Sequence, residues 1–171
     1  SHVPASLPIT PSLPSLGKGM EICPDGQNTI TPAQFNGGVS VNGGDYQPVV
    51  TVKDSDLLTL RGTIRMDSLH LPLTTDIFVH ASYQATGQGK PSHWMVDEKG
   101  QVLPWDENPA HLDPFRTGVP SASGLLEVEI FQGKMLASGL GSGKVAITFG
   151  YQLEDGRIIC GSQPIEINVV K

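Results

Sequence analysis

Hydrophobic and polar residues alternate along most of this chain, and the alternation is interrupted at short intervals by Gly, Asn, Asp and Pro. A period of two places successive side chains on opposite faces of an extended strand, so the pattern predicts strands joined by turns. Val39-Ser40-Val41 precedes the turn Asn42-Gly43-Gly44-Asp45, and a second run follows from Val49 to Val52. In Leu57 to Met66, Leu58, Leu60, Gly62, Ile64 and Met66 share one face. Asp76 to Tyr83 groups Ile77, Val79, Ala81 and Tyr83, leaving His80 on the outer side. His93 to Val96 and Gln101 to Leu103 flank Asp97-Glu98-Lys99-Gly100, a short hairpin with Gly where positive φ is needed.

Leu126, Val128 and Ile130 alternate with Glu127 and Glu129, a strand that is wet on one side. Val145, Ile147, Phe149, Tyr151 and Leu153 make the longest apolar stripe, assigned to the core. After the Asp155-Gly156 turn come Arg157 to Cys160 and then Ile165, Ile167 and Val169. No window of about 11 residues carries a helical period; Asn108 to Phe115 has room for one helical turn. Eight to ten strands at this spacing predict an all-β fold, a two-sheet antiparallel immunoglobulin-like sandwich over residues 37–171.

The N-terminal residues 1–36 read differently, as an extended Pro-rich arm and an irregular linker. Val3, Ala5, Leu7 and Ile9 alternate with Pro4, Ser6, Pro8 and Thr10, and Leu13 follows. Pro4 and Pro8 remove backbone donors from the same lateral side, which suits an edge strand bonded along its other side. Pro11 ends the pattern, Pro14 keeps the next stretch extended, and Gly17 to Asn36 reads as irregular. The arm has two possible resting places, its own domain or a neighbouring copy.

Composition narrows the function classes. Among 171 residues, Gly 20 and Pro 14 are high and charged residues are 16%. The formal net charge of −6 comes with no basic cluster, so phosphate backbones would be repelled and nucleic acid is set aside. No apolar run of about 18 residues exists to span a membrane. The chain begins at Ser, so either a signal peptide has been removed or Ser1-His2 is left by cloning. An extracellular or cell-surface location is expected. The two cysteines, Cys23 and Cys160, are then expected to pair. That bridge would close a loop of more than about 100 residues, for which the chain-entropy account gives roughly 4–5 kcal/mol.

The Gly139-Leu140-Gly141-Ser142-Gly143-Lys144 loop is not a phosphate cradle. Ser138 stands where the first Gly belongs, Val145 follows Lys144, and the loop leads into a strand. Nor is Gly139 to Gly143 in register for a nucleophile elbow. His2, His70, His80, His93 and His111 lack metal-ligand spacing, and zinc would need three of them to converge through folding. Asp97, Glu98, Asp106, Glu107, Asn108 and Asp113 surround Trp94 and Trp105 without matching a calcium-loop spacing. No catalytic constellation, metal or cofactor is expected.

The stretch from about Leu57 to Lys171 resembles immunoglobulin-like modules of large exported bacterial surface proteins. The resemblance rests on Ile77-Phe78-Val79-His80-Ala81-Ser82-Tyr83, on Trp94-Met95-Val96-Asp97 with Val102-Leu103-Pro104-Trp105-Asp106, and on Phe149-Gly150-Tyr151. It implies a stalk, adhesin or assembly unit. The expected function is a non-enzymatic structural subunit of an extracellular filament. Its partners would be other copies of itself, joined when Val3, Ala5, Leu7, Ile9 and Leu13 dock as an added strand. The alternative is a secreted carbohydrate-binding or adhesive module that places Trp94, Trp105, Asp97 and Asp106 around a glycan.

Overall fold

The computed structural model describes residues 13–22, 28–71, 74–87, 89–120, 123–134 and 141–170. Strands take up 63% of these residues, and helix is limited to single 3₁₀ turns at Ser68–His70 and Pro109–His111. The chain is all-β. In order, the strands are β1 (Ser15–Ile22), β2 (Asn28–Val41), β3 (Val49–Lys53), β4 (Leu57–Arg65), β5 (Thr75–Ala85) and β6 (Ser92–Val96). They continue as β7 (Val102–Pro104), β8 (Arg116–Val119), β9 (Leu125–Lys134), β10 (Gly143–Gln152), β11 (Ile158–Gly161) and β12 (Ile165–Val170).

Hydrogen-bonded neighbours run β7-β6-β5-β10-β11-β1-β2-β4-β9, with β12 against β10, β3 against β12 and β8 against β5. Every pairing is antiparallel except β12 with β3. β10 is the branch point. Its Gly143 to Ile147 pair with β12, its Gly150 to Gln152 pair with β11, and β5 lines its whole other side. The result is one continuous curled sheet, whose β10 portion faces its β2–β4 portion across the core. Phe149 of β10 sits over Gly62 of β4 and Gly37 of β2, and its ring meets Phe35 at 5.6 Å between centroids.

The alternating positions turn inward as their period requires. Leu58, Leu60 and Ile64, Ile77 and Val79, Leu126, Val128 and Ile130, and the stripe from Val145 to Leu153 are all buried. Tyr151 is fully enclosed. Its hydroxyl lies 2.7 Å from His70 Nδ1 and accepts from the Asp67 N–H at 3.3 Å, tying the first 3₁₀ turn to the core. Burial pushes the Tyr151 hydroxyl up to about 12, so it stays protonated there.

The stretch expected to be irregular, Gly17 to Asn36, instead forms most of β1 and β2, and the boundary between 36 and 37 falls inside β2. Pairing on both sides overrides the poor strand propensity of its Gly, Pro, Asn and Gln. Leu16, Ala33 and Phe35 are buried there. The register moves from Lys18↔Gln34 to Gly19↔Thr31, a bulge that holds Pro32, so the missing N–H of proline costs no ladder bond.

Two further expectations fall partly outside the described residues. Cys160 is a free buried thiol on β11, opposite Met20, with Sγ 3.8 Å from the Met20 carbonyl. Burial pushes it up to about 11. Cys23, its expected disulfide partner, lies outside the described residues, as do Val3, Ala5, Leu7 and Ile9 of the arm. Leu13 is described, and it rests on its own chain. Its carbonyl accepts from Asn36 Nδ2 at 3.1 Å, and the Pro14 carbonyl accepts from the Gly37 N–H at 2.9 Å. The Leu13 side chain lines a small recess with Arg61, Thr63, Glu127 and Glu129 on the outer face of β4 and β9.

The join between β10 and β11 gives a sharp test of this topology. A Cβ built at Gly150 would run into the Ile159 carbonyl of β11, a backbone obstacle that no rotamer can move. Gly150→Ala is therefore expected to lower stability by about 3 kcal/mol in chemical denaturation. An unchanged midpoint would place β11 away from β10.

Candidate functional site

Three regions carry the chemistry singled out in the sequence. The first is the outer face of β5 and β6. Cross-strand partners share a face, so His80 lies beside Met95, and His93 beside Ser82, on the side away from Ile77 and Val79. Phe78, Met95, Leu112, Ile158 and Cys160 form a second apolar cluster here, with Met20, Leu103 and Trp105 packed against it. The loop after β7 folds over this face. Its Trp105 N–H donates to the His93 carbonyl at 3.0 Å, and its Asp113 N–H donates to Met95 Sδ at 3.2 Å.

Folding brings together two histidines that the sequence leaves scattered. His80 Nε2 lies 3.0 Å from His93 Nδ1, the rings stack at 5.2 Å, and Trp105 meets His80 edge-on at 4.8 Å. Glu107, in the left-handed region at φ 66°, places Oε1 3.3 Å from His93 Nε2. The chain is satisfied when His80 Nε2–H donates to His93 and His93 Nε2–H donates to Glu107. It is equally satisfied by a protonated His93 donating at both nitrogens. Direct bonding between the imidazoles leaves no gap for an ion, and among the described residues no group of three His, Cys, Asp or Glu converges on one. His70 and His111 sit elsewhere, and His2 lies outside the described residues.

Burial, and then the neighbouring His93, lower His80 from its ordinary 6.5 to about 4. The unfolded chain therefore takes up a proton at His80 at a higher pH than the folded chain does. Stability from this group is complete above pH 6.5 and falls as pH drops through the window to about 4. His70, lowered mainly by burial, acts with the same sign. His80→Gln is expected to flatten the decline in melting temperature between those limits. A variant with the wild-type slope would show that His80 titrates freely.

The second region is the tryptophan and carboxylate set of the glycan reading, and it does not assemble. Trp94 is paired with Ala81 and Pro104 and faces opposite to His80, while Trp105 packs on His80 itself. The two indoles occupy opposite faces of the β5–β7 ribbon. Their N–H groups are used locally, Trp94 to Ser92 Oγ and Trp105 to the Asn108 carbonyl, each at 3.0 Å. Asp97 Oδ1 accepts from the Lys99 and Gln101 N–H groups at 2.9 and 2.8 Å, closing its hairpin. Asp106 accepts from the Asn108 N–H at 2.9 Å and lies 2.6 Å from His111 Nδ1. Each carboxylate shapes its own turn. Lys144, from the glycine-rich loop, pairs with Glu166 at 3.1 Å across β10 and β12.

The third region is where the sheet ends. Among the described residues β9 pairs with β4 alone, so no described strand covers the other side of its ten residues. Leu126, Val128 and Ile130 point into the core, Glu127 and Glu129 point outward, and Leu125 and Phe131 are exposed at 44% and 41%. A cleft of about 370 Å³ runs beside it, between Glu129 to Gln132, the Glu98-Lys99-Gly100 turn and Phe115-Arg116. Leu60, Phe115, Ile130 and Phe131 supply its apolar lining; Arg61 pairs with Glu129 at 3.6 Å on the surface, an interaction of small energy. Unpaired backbone groups on a long edge are a template for another strand. The sequence marked β9 by its wet face, but only the topology made it an edge.

No known family, curated protein or solved structure matches this chain.

Proposed function

We propose that this chain is a non-enzymatic structural subunit of an assembly outside the cytoplasm, with an immunoglobulin-like sandwich as its body. Its Pro-rich arm joins neighbouring copies by adding a strand to an open sheet edge. The observation that carries this reading is a body with unpaired strand edges among the described residues, set beside an arm patterned for one-sided strand pairing. Arm and edge are different surfaces. The contact is therefore heterologous, and it propagates as an open fibre unless its geometry closes a ring.

Electron microscopy and sedimentation of the full chain, beside a chain lacking residues 1–10, test this. Removing those residues leaves Leu13, Pro14 and the buried Leu16 in place, so the body keeps its sheet. Polymers from the full chain and monomers from the shortened one are expected. A full chain that stays monomeric at all concentrations would remove the assembly role.

A further inference from the structure

We infer that the acceptor for the arm is the open edge of β9, and that a second copy's residues Val3 to Ile9 lie along it above the cleft, with Pro4 and Pro8 turned away. This rests on the assembly reading above and specifies its second surface. Length selects the edge. The alternating segment spans seven residues, about 23 Å when extended. Of the strands with a single partner, β3 has five residues, β8 four and β7 three, whereas β9 has ten. Among the described strands with a single partner, only β9 is long enough to pair with the whole segment.

The orientation follows from the prolines. Backbone N–H groups of alternate residues point to the same lateral side. Pro4 and Pro8 leave that side without two donors, while Val3, Ala5, Leu7 and Ile9 keep all of theirs on the other. β9 offers pairing on one side, and across the cleft stands the Glu98-Lys99-Gly100 turn rather than a strand. A strand with one competent side fits a site with one pairing edge. The faces agree as well. The Met66 N–H donates to the Gly124 carbonyl, so Leu126 and Val128 use their backbone groups on β4 while Glu127 and Glu129 turn theirs outward. An arm running parallel to β9 sets its apolar side chains level with Leu126 and Val128. Ser6 and Thr10 then stand beside Glu127 and Glu129, and residues 1–12 include no Asp or Glu to repel them.

A second copy is the better donor than the same chain. Leu13 already lies on the outer face of its own β4 and β9, in a recess that shares Arg61 and Glu129 with the cleft. Pairing with its own β9 would need a tight reversal around that edge directly before Leu13. Thr10 and Leu13, each preceding a proline, are held extended, which confines any such reversal to Pro11-Ser12.

Hydrogen exchange on the full chain and on its Leu7→Asp/Ile9→Asp variant, at low and high concentration, tests the assignment. In the wild type at high concentration, amides of 125–134 that do not pair with β4 are expected to exchange at least about tenfold more slowly than in the dilute protein. The variant should lose that protection, with β5 and β10 unchanged in both. Assembly without slowing in 125–134 would overturn the β9 assignment while leaving arm-driven assembly standing. Slowing that ignores concentration would put the arm on its own β9 and overturn the second copy as donor. A wild type that neither assembles nor slows would remove the inference together with the reading beneath it.

Discussion

Phe149→Ala is expected to lower the free energy of unfolding by about 3–5 kcal/mol. The side chain is buried to 2% and sits where the two portions of the curled sheet meet. Opposite it are Gly62 and Gly37, which have no side chains to relax into the space, and Phe35, whose ring touches it at an angle of 59°. Gly37 pairs with Gly62, and Gly62 pairs with Val128, so the backbone around the vacated volume is held by ladders on both sides. A cavity that cannot collapse keeps the full penalty, which points to the upper part of the range. Urea denaturation of wild type and variant measures it. A loss below about 1 kcal/mol would mean that the sheet does not close on Phe149.

Leu7→Asp combined with Ile9→Asp is expected to abolish assembly and leave a folded monomer with an unchanged melting temperature. Each buried Leu or Ile contributes roughly 1.5–3 kcal/mol, and a carboxylate in its place adds a desolvation cost. Losing two such anchors is expected to remove most of the affinity of a strand-addition contact. The body should not respond. Among the described residues its core is made by Leu16, Phe35, Ile64, Phe149, Tyr151, Ile165 and their neighbours. Sedimentation and thermal melting on the same samples separate the two homes of the arm. A lower melting temperature with an unaltered oligomeric state would show an arm that stabilises its own domain, and the filament role would fall.

Alternation along the chain was enough to show that it is all-β and which faces of its strands are buried. The stripes on β4, β5, β9, β10 and β12 were legible because a period of two depends only on which side chains avoid water, a local property of each residue. The hairpin turn at Asp97 to Gly100 and the single helical turn near Asn108 were legible from their turn chemistry. Tertiary structure decided what depends on residues far apart in the chain. β1 and β2 carry Gly, Pro, Asn and Gln, and they are strands because β11 and β4 pair with them from either side. His80 and His93 are bonded because β5 and β6 pair in one register, and the same register sends Trp94 and Trp105 to opposite faces. Cys160 lies opposite Met20, and burial raises its pKa. Among the described residues β9 is an edge because the path of the sheet stops there. Alternation states which face of a strand is wet, but its lateral neighbours are set by backbone hydrogen bonds, which every residue except proline can make and which therefore leave almost no mark in the sequence.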